Sequence, residues 1–181
     1  MVRVIGFDES KYVNADADSV KDRIPEYRVG VRDRMRSAAL MAHEESSYLV
    51  KKIRTQAIAE RKNLVIDGTG AKAKSYIDII PELRKQGYHI QLLMADCPAE
   101  VALPRAVERA EKVGRYVPDE FIKDSYPKIP DSFKQVSALV DEFHVYDTGN
   151  AKFGEQPKEL YSKKNGQTQE HDPEWVKRFL Q

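Results

Sequence analysis

Asn63-Leu64-Val65-Ile66-Asp67-Gly68-Thr69-Gly70 reads as a short buried strand that stops on an acid between apolar residues and glycines. Val65 and Ile66 are β-branched and favour extended backbone, whereas Gly68 and Gly70 let the chain turn and approach a ligand closely. The same grammar recurs three times. Lys11–Ala15 runs into Asp16-Ala17-Asp18, Tyr88–Ala95 stops at Asp96-Cys97-Pro98, and Phe143–Tyr146 ends at Asp147-Thr148-Gly149. Helical patterns fill the gaps. Ser19 opens a short helix to Ile24, stopped by Pro25, and Ser37–Arg61 reads as one long helix with Ala39, Leu40, Leu49, Ile53, Ala57 and Ile58 as its apolar stripe. Ser75–Gln86 ends at Gly87, Pro98–Lys112 ends at Gly114, and two more helices cover Pro118–Tyr126 and Ser132–Asp141. Strand alternating with helix predicts an α/β fold with a parallel sheet flanked by helices. In open α/β sheets the carboxyl ends of the strands line the ligand crevice, so four acid-terminated strands predict one polar site.

Bulk composition narrows the partners. Thirty Lys and Arg nearly cancel twenty-nine Asp and Glu, leaving a net charge of +1, which supplies no general drive toward nucleic acid or an acidic membrane. No window approaches the ~18 apolar residues of a membrane span, and the apolar run in MVRVIGFDES is too short for a secretory signal. Cys97 is the sole cysteine, so no intramolecular disulfide forms and a cytoplasmic location is expected. Residues 1–150 read as the core domain. Residues 151–181 read as a C-terminal extension, loose through about 172 because it is rich in Lys, Gln, Asn and Gly. A short terminal helix then carries Trp175, Phe179 and Leu180.

Several residues could carry chemistry. The spacing Asp16-Ala17-Asp18 puts both carboxylates on one side if the strand persists, where one could accept a substrate proton or hold a metal through water; the plainer reading is that Asp18 or Ser19 caps the next helix. The Leu64–Gly70 strand end resembles the metal-side strand of P-loop nucleotidases, with Asp67 and the Thr69 hydroxyl as its polar groups. Arg105 and Arg109 share a helix face, and Arg115 lies in the loop Gly114–Pro118. Arginines over a transferring phosphoryl group stabilise its charge, but on charge alone a solvated face paired with Glu108 and Glu111 is favoured. His43-Glu44-Glu45-Ser46-Ser47 covers more than half a helix circumference, so part of it must face inward or into a cleft. No certain metal site emerges. His89, His144 and His171 are scattered and read as structural or solvated, and Cys97 reads as an inert thiol.

In this order the pieces resemble the zeta-toxin family of kinases. The resemblance spans about residues 2–150 and rests on YVNADADSVKDRIPEY, HEESSYL, NLVIDGTG, VERAEKVGRYVP and VYDTGN; each is weak alone, but the five in register are specific. It implies a P-loop NTPase-like parallel sheet flanked by helices, ATP and Mg2+ as cofactors, and phosphoryl transfer to the sugar 3′-hydroxyl of UDP-N-acetylglucosamine. It also implies a toxin–antitoxin context with a small helical antitoxin as partner. Asp18 matches the catalytic base, Asp67 and Thr69 match positions that contact the sugar nucleotide, and Arg109 and Arg115 match two arginines that bind ATP phosphates. Asp16 and the His43-Glu44 segment match motif positions without a firm individual role. The departure from the family is the glycine-rich phosphate loop: no G-x-x-x-x-G-K-[ST] occurs. Its lysine would fall before Met1, MVRVIGF resembles the end of the helix that follows it, and the first sheet strand is expected to be missing, so this chain alone is expected to be inactive. A fragment of a complete kinase, a non-catalytic sugar-nucleotide-binding module and a P-loop kinase of another small substrate all stay open.

Overall fold

The structure is a computed structural model and describes residues 8–151 and 155–180. In chain order the elements are β1 (Val13–Ala15), α1 (Ala17–Lys21), α2 (Pro25–Arg32), α3 (Ala38–Met41), α4 (His43–Ala59), β2 (Leu64–Ile66), α5 (Lys74–Ile77) and α6 (Ile80–Lys85). They continue with β3 (Gln91–Asp96), α7 (Ala99–Val113), α8 (Asp119–Ser125), α9 (Ile129–Ser137), β4 (Glu142–Asp147), β5 (Lys158–Lys164), β6 (Gln167–Glu170) and α10 (Pro173–Leu180). They fall into two compact units, one built from residues 8–68 and 100–122, the other from 69–99 and 123–180. The reading of MVRVIGF as the end of a helix lies outside the described residues.

In the first unit β1 and β2 pair in parallel, Val13 opposite Leu64 and Ala15 opposite Ile66, with Ala15 buried. The core beside them is small: Ile24, Tyr27, Ala38 and Ala42. A Cβ on Gly30 would come within 2.8 Å of the Ala38 Cβ, so α2 and α3 approach closely because both residues are small. The expected helix over Ser37–Arg61 is two helices. Ala42, at φ −89° and ψ 1°, leaves the helical region between α3 and α4 and rephases the stripe. Leu40 and Met41 are consequently exposed, and Leu49 also lies at the surface. Of the polar run 43–47, Ser46 turns fully inward, where its hydroxyl donates to the His43 carbonyl at 3.0 Å.

The second unit holds a four-stranded sheet in the order β3-β4-β5-β6. β3 and β4 are parallel, from Gln91 opposite Glu142 to Asp96 opposite Asp147, whereas β5 and β6 add antiparallel. Its core is large and aromatic. Phe133 meets Phe143 edge-on at 5.3 Å, Trp175 stacks on Phe179 at 4.5 Å, and Val145 is fully buried among them. Here 158–170, expected to be loose, is ordered strand. In Lys158–Lys164 only Leu160 and Ser162 are buried, and every residue of β6 is exposed, so composition hides the period of two. Asn165-Gly166 joins the two strands with φ of 52° and 76°, a two-residue hairpin turn that the Asn-Gly pair advertises. The helix expected over Ser75–Gln86 likewise divides, with Pro81 in the first turn of α6. Two of the three histidines that look scattered in sequence, His144 and His171, converge on one carboxylate, whereas His89 lies by Asp141 and Glu142. His144 Nδ1 lies 2.5 Å from one Glu159 oxygen and His171 Nε2 lies 3.0 Å from the other, tying β4, β5 and the segment after β6 together. No helix among the described residues is long and apolar enough to cross a membrane.

Candidate functional site

Asp16 follows the last residue of β1 and is the N-cap of α1. Oδ1 accepts the Asp18 N–H at 2.9 Å, and Oδ2 accepts the Ser19 N–H at 3.1 Å and its hydroxyl at 2.5 Å. The cap is therefore Asp16 rather than Asp18 or Ser19. Burial works against its charge, but these donors and the Arg115 guanidinium outweigh burial and hold the carboxyl below the usual range. With Asp16 occupied in capping, the side chain of Asp18 is left to point outward from the first turn.

Two cations meet it there. Arg115 Nη2 lies 2.5 Å from Oδ2, and Lys21 Nζ donates to Oδ1 at 3.3 Å. The Asp18 side chain is about half exposed at 54%, whereas Lys21 is sunk to 11% and Arg115 to 29%. Lys21 reaches the carboxylate from one turn along α1, an i,i+3 spacing. Arg115 arrives on the loop after α7, and that loop is fixed to α2. Gly114 sits at φ 73° with its missing Cβ 2.9 Å from the Val31 carbonyl oxygen, so a side chain there would push the loop away. Arg36 also stacks its guanidinium over the Tyr116 ring at 5.2 Å. Tyr27 is buried nearby; burial pushes its phenol up and the Arg115 charge opposes the push.

Asp67 follows β2 directly, in the strand paired with β1. It opens to solvent on one side and is crowded on the others. That crowding, with the negative charges of Asp16 and Asp18, raises its carboxyl above the usual range despite a bond from the Gly68 N–H. The parallel β1–β2 pair thus brings Asp16, Asp18 and Asp67 near one another, with Arg115 and Lys21 on Asp18. Thr69, in the other unit, is exposed and accepts the Ala71 N–H at 3.4 Å. Arg109 is exposed on α7 without an ion pair to any described residue, and Glu108 pairs with Lys112. His43 and Glu44 are exposed in the first turn of α4 and share no hydrogen bond or ion pair with the three aspartates. Lys21 and Tyr27 carry the geometry of this site, yet sequence reading passed over both. The signal was available, because a lysine three residues after an aspartate in a short helix lies on its face. No group of three or more His, Cys, Asp or Glu among the described residues has metal-holding geometry.

The other acid-terminated strands end differently. Asp96 accepts the Trp175 indole N–H at 2.8 Å, and Asp147 accepts the N–H groups of Gly149 and Asn150 and the Asn150 amide. Both carboxylates are consumed by their own chain.

A parallel sheet flanked by helices, with carboxylates and a guanidinium at the strand ends, defines an α/β protein with a kinase-like fold. The Zeta toxin family matches residues 3–158, and the chain belongs to that family. Among solved structures it is similar to one from the PezAT chromosomal toxin–antitoxin system of the human pathogen Streptococcus pneumoniae. The TM-score is 0.67 and the identity 16%, over 95% of this chain and 76% of that one. None of the curated proteins matches it.

Proposed function

We propose that the protein is a kinase that transfers the γ-phosphoryl group of ATP to a hydroxyl of a sugar nucleotide such as UDP-N-acetylglucosamine, with Asp18 as general base, and that turnover requires a glycine-rich phosphate loop, a motif that does not occur in residues 1–181. The observation that supports this most is the Asp18 carboxylate, held at the end of the β1–α1 turn between cations and open to solvent on one side. Phosphoryl transfer asks the protein mainly for positioning and charge, and a carboxylate that accepts the hydroxyl proton completes the set. Arg115 and Arg109 would hold the ATP phosphates. Asp67 and Thr69 would meet the sugar nucleotide, with Asp16, His43 and Glu44 in lesser binding roles. The donor set suits Mg2+ brought in on the nucleotide. Mg2+ takes one or two carboxylates plus phosphate oxygens, and Asp67, burdened by two like charges, is the carboxylate that gains most from a dication. The metal's chemistry is to neutralise charge on the phosphates. We further propose a cytoplasmic protein with an antitoxin as partner.

The test is direct. The protein in a form that carries a glycine-rich phosphate loop is incubated with ATP, Mg2+ and a panel of nucleotide sugars and simple alcohols, and phosphorylated products are followed by 31P NMR and mass spectrometry. A phosphorylated UDP-sugar is expected. Binding of the UDP-sugar without transfer would make the protein a non-catalytic module, and transfer to another alcohol alone would make it a kinase of a different small substrate.

A further inference from the structure

The two oxygens of Asp18 are held by cations of different character. Lys21 grips Oδ1 from within the same helix and is almost wholly buried, so it has nowhere else to go. Arg115 covers Oδ2 from a separate loop and keeps an exposed edge. A guanidinium has five donors; here Nη2 serves Asp18, and the partly exposed remainder is open to an incoming anion. Phosphate matches that fork with two oxygens, whereas the Asp18 contact engages only one of the carboxylate oxygens. With Lys21 on Oδ1 and Arg115 on Oδ2, an acceptor hydroxyl finds both oxygens of Asp18 already engaged.

We infer that Lys21 is a positioning residue that keeps Asp18 in place, while Arg115 masks Oδ2 until a phosphate chain draws the guanidinium away. This rests on the reading of Arg115 as a phosphate ligand and of Asp18 as the base. Phosphate and Asp18 then compete for one guanidinium, and the aspartate becomes available to an acceptor hydroxyl only when phosphate is seated. Asp16 adds to the field that holds Arg115 but makes no ion pair with it.

Inorganic tripolyphosphate is the probe, since it carries the phosphate chain without base or sugar. Its binding to the full chain is measured by calorimetry or NMR for the parent, Asp18→Asn, Arg115→Ala and the double variant. Removing the competitor in Asp18→Asn should tighten binding about 3-fold, the worth of a partly exposed ion pair. That gain should vanish in the Arg115→Ala background. Asp22→Asn removes the same charge one residue beyond Lys21 and should give a much smaller gain. In the unsubstituted chain, tripolyphosphate should shift the Arg115 guanidinium 15N–1H resonances and leave the Lys21 ammonium resonance in place. The inference fails if Asp18→Asn gives no gain, if the gain persists without Arg115, if Asp22→Asn matches it, or if the Lys21 signal moves with that of Arg115. None of these readouts needs a sugar nucleotide or turnover, so the exchange can fail while transfer to a UDP-sugar stands, and the reverse.

Discussion

Four strands among the described residues run into aspartate. Three of those carboxylates, Asp16, Asp96 and Asp147, are taken up by donors of the chain itself, whereas Asp67 keeps little more than one backbone N–H. In the 69–99 and 123–180 unit, Asp96 is locked to Trp175 and Asp147 to the turn at Gly149 and Asn150. In the 8–68 and 100–122 unit, Asp18 and Asp67 are met by long cationic side chains or by little more than a single backbone N–H. The cores differ in the same direction, aromatic and dense in one, alanine-rich and small in the other. A strand-terminal aspartate is therefore not by itself a site. What decides is whether the chain's own donors use up its acceptor capacity, leaving nothing for a ligand.

The sharpest way to break this comparison is to remove the indole that occupies Asp96. Trp175→Ala should cost about 3–5 kcal/mol, since it empties a packed aromatic position and strips a half-buried carboxylate of its donor. Denaturant unfolding checks this, and a loss below the usual surface range would mean that α10 is not part of the core.

Next in size is Asp16→Ala, expected to cost about 1 kcal/mol as a lost N-cap. The Asp16 carboxyl is held below its usual range, so its contribution is present above the unfolded value and fades as pH falls through the folded one. The difference between parent and Asp16→Ala midpoints should therefore shrink in acid. The smallest effect carries the opposite sign. The Asp67 carboxyl is raised by crowding and by its acidic neighbours, so the folded chain keeps that proton better than the unfolded one. Ionised Asp67 works against folding at neutral pH, and Asp67→Asn should raise the midpoint there. The gain should disappear below the unfolded carboxylate range, where both states are protonated.

Much of this was legible in the residues. The strand ends at Asp16, Asp67, Asp96 and Asp147 were visible because β-branched and apolar runs stop abruptly on polar turns, and the Asp18 and Arg115 motifs were legible one by one. Their meeting was not, because Arg115 reaches Asp18 through a loop set by Gly114 against Val31, a contact far apart in sequence. The β5–β6 hairpin was hidden by polar composition, although Asn165-Gly166 marks its turn. The break at Ala42 was hidden because alanine favours helix and nothing local signals the kink. The difference between Asp96 and Asp67 was equally out of reach, since Trp175 lies 79 residues from the carboxylate it fills.

The most direct test of the contrast is kinetic, in a form of the protein that carries a glycine-rich phosphate loop, with ATP, Mg2+ and the acceptor it uses. Asp18→Asn keeps the shape of the side chain and removes its basicity. The expected fall in kcat is about 10²–10⁴, with KM for the acceptor little changed. Asp147→Asn, at the end of a strand in the other unit, should leave kcat per folded molecule where it was. An Asp18→Asn enzyme that turns over at the parent rate would contradict the account, and the aspartate would then serve only to anchor Lys21 and Arg115.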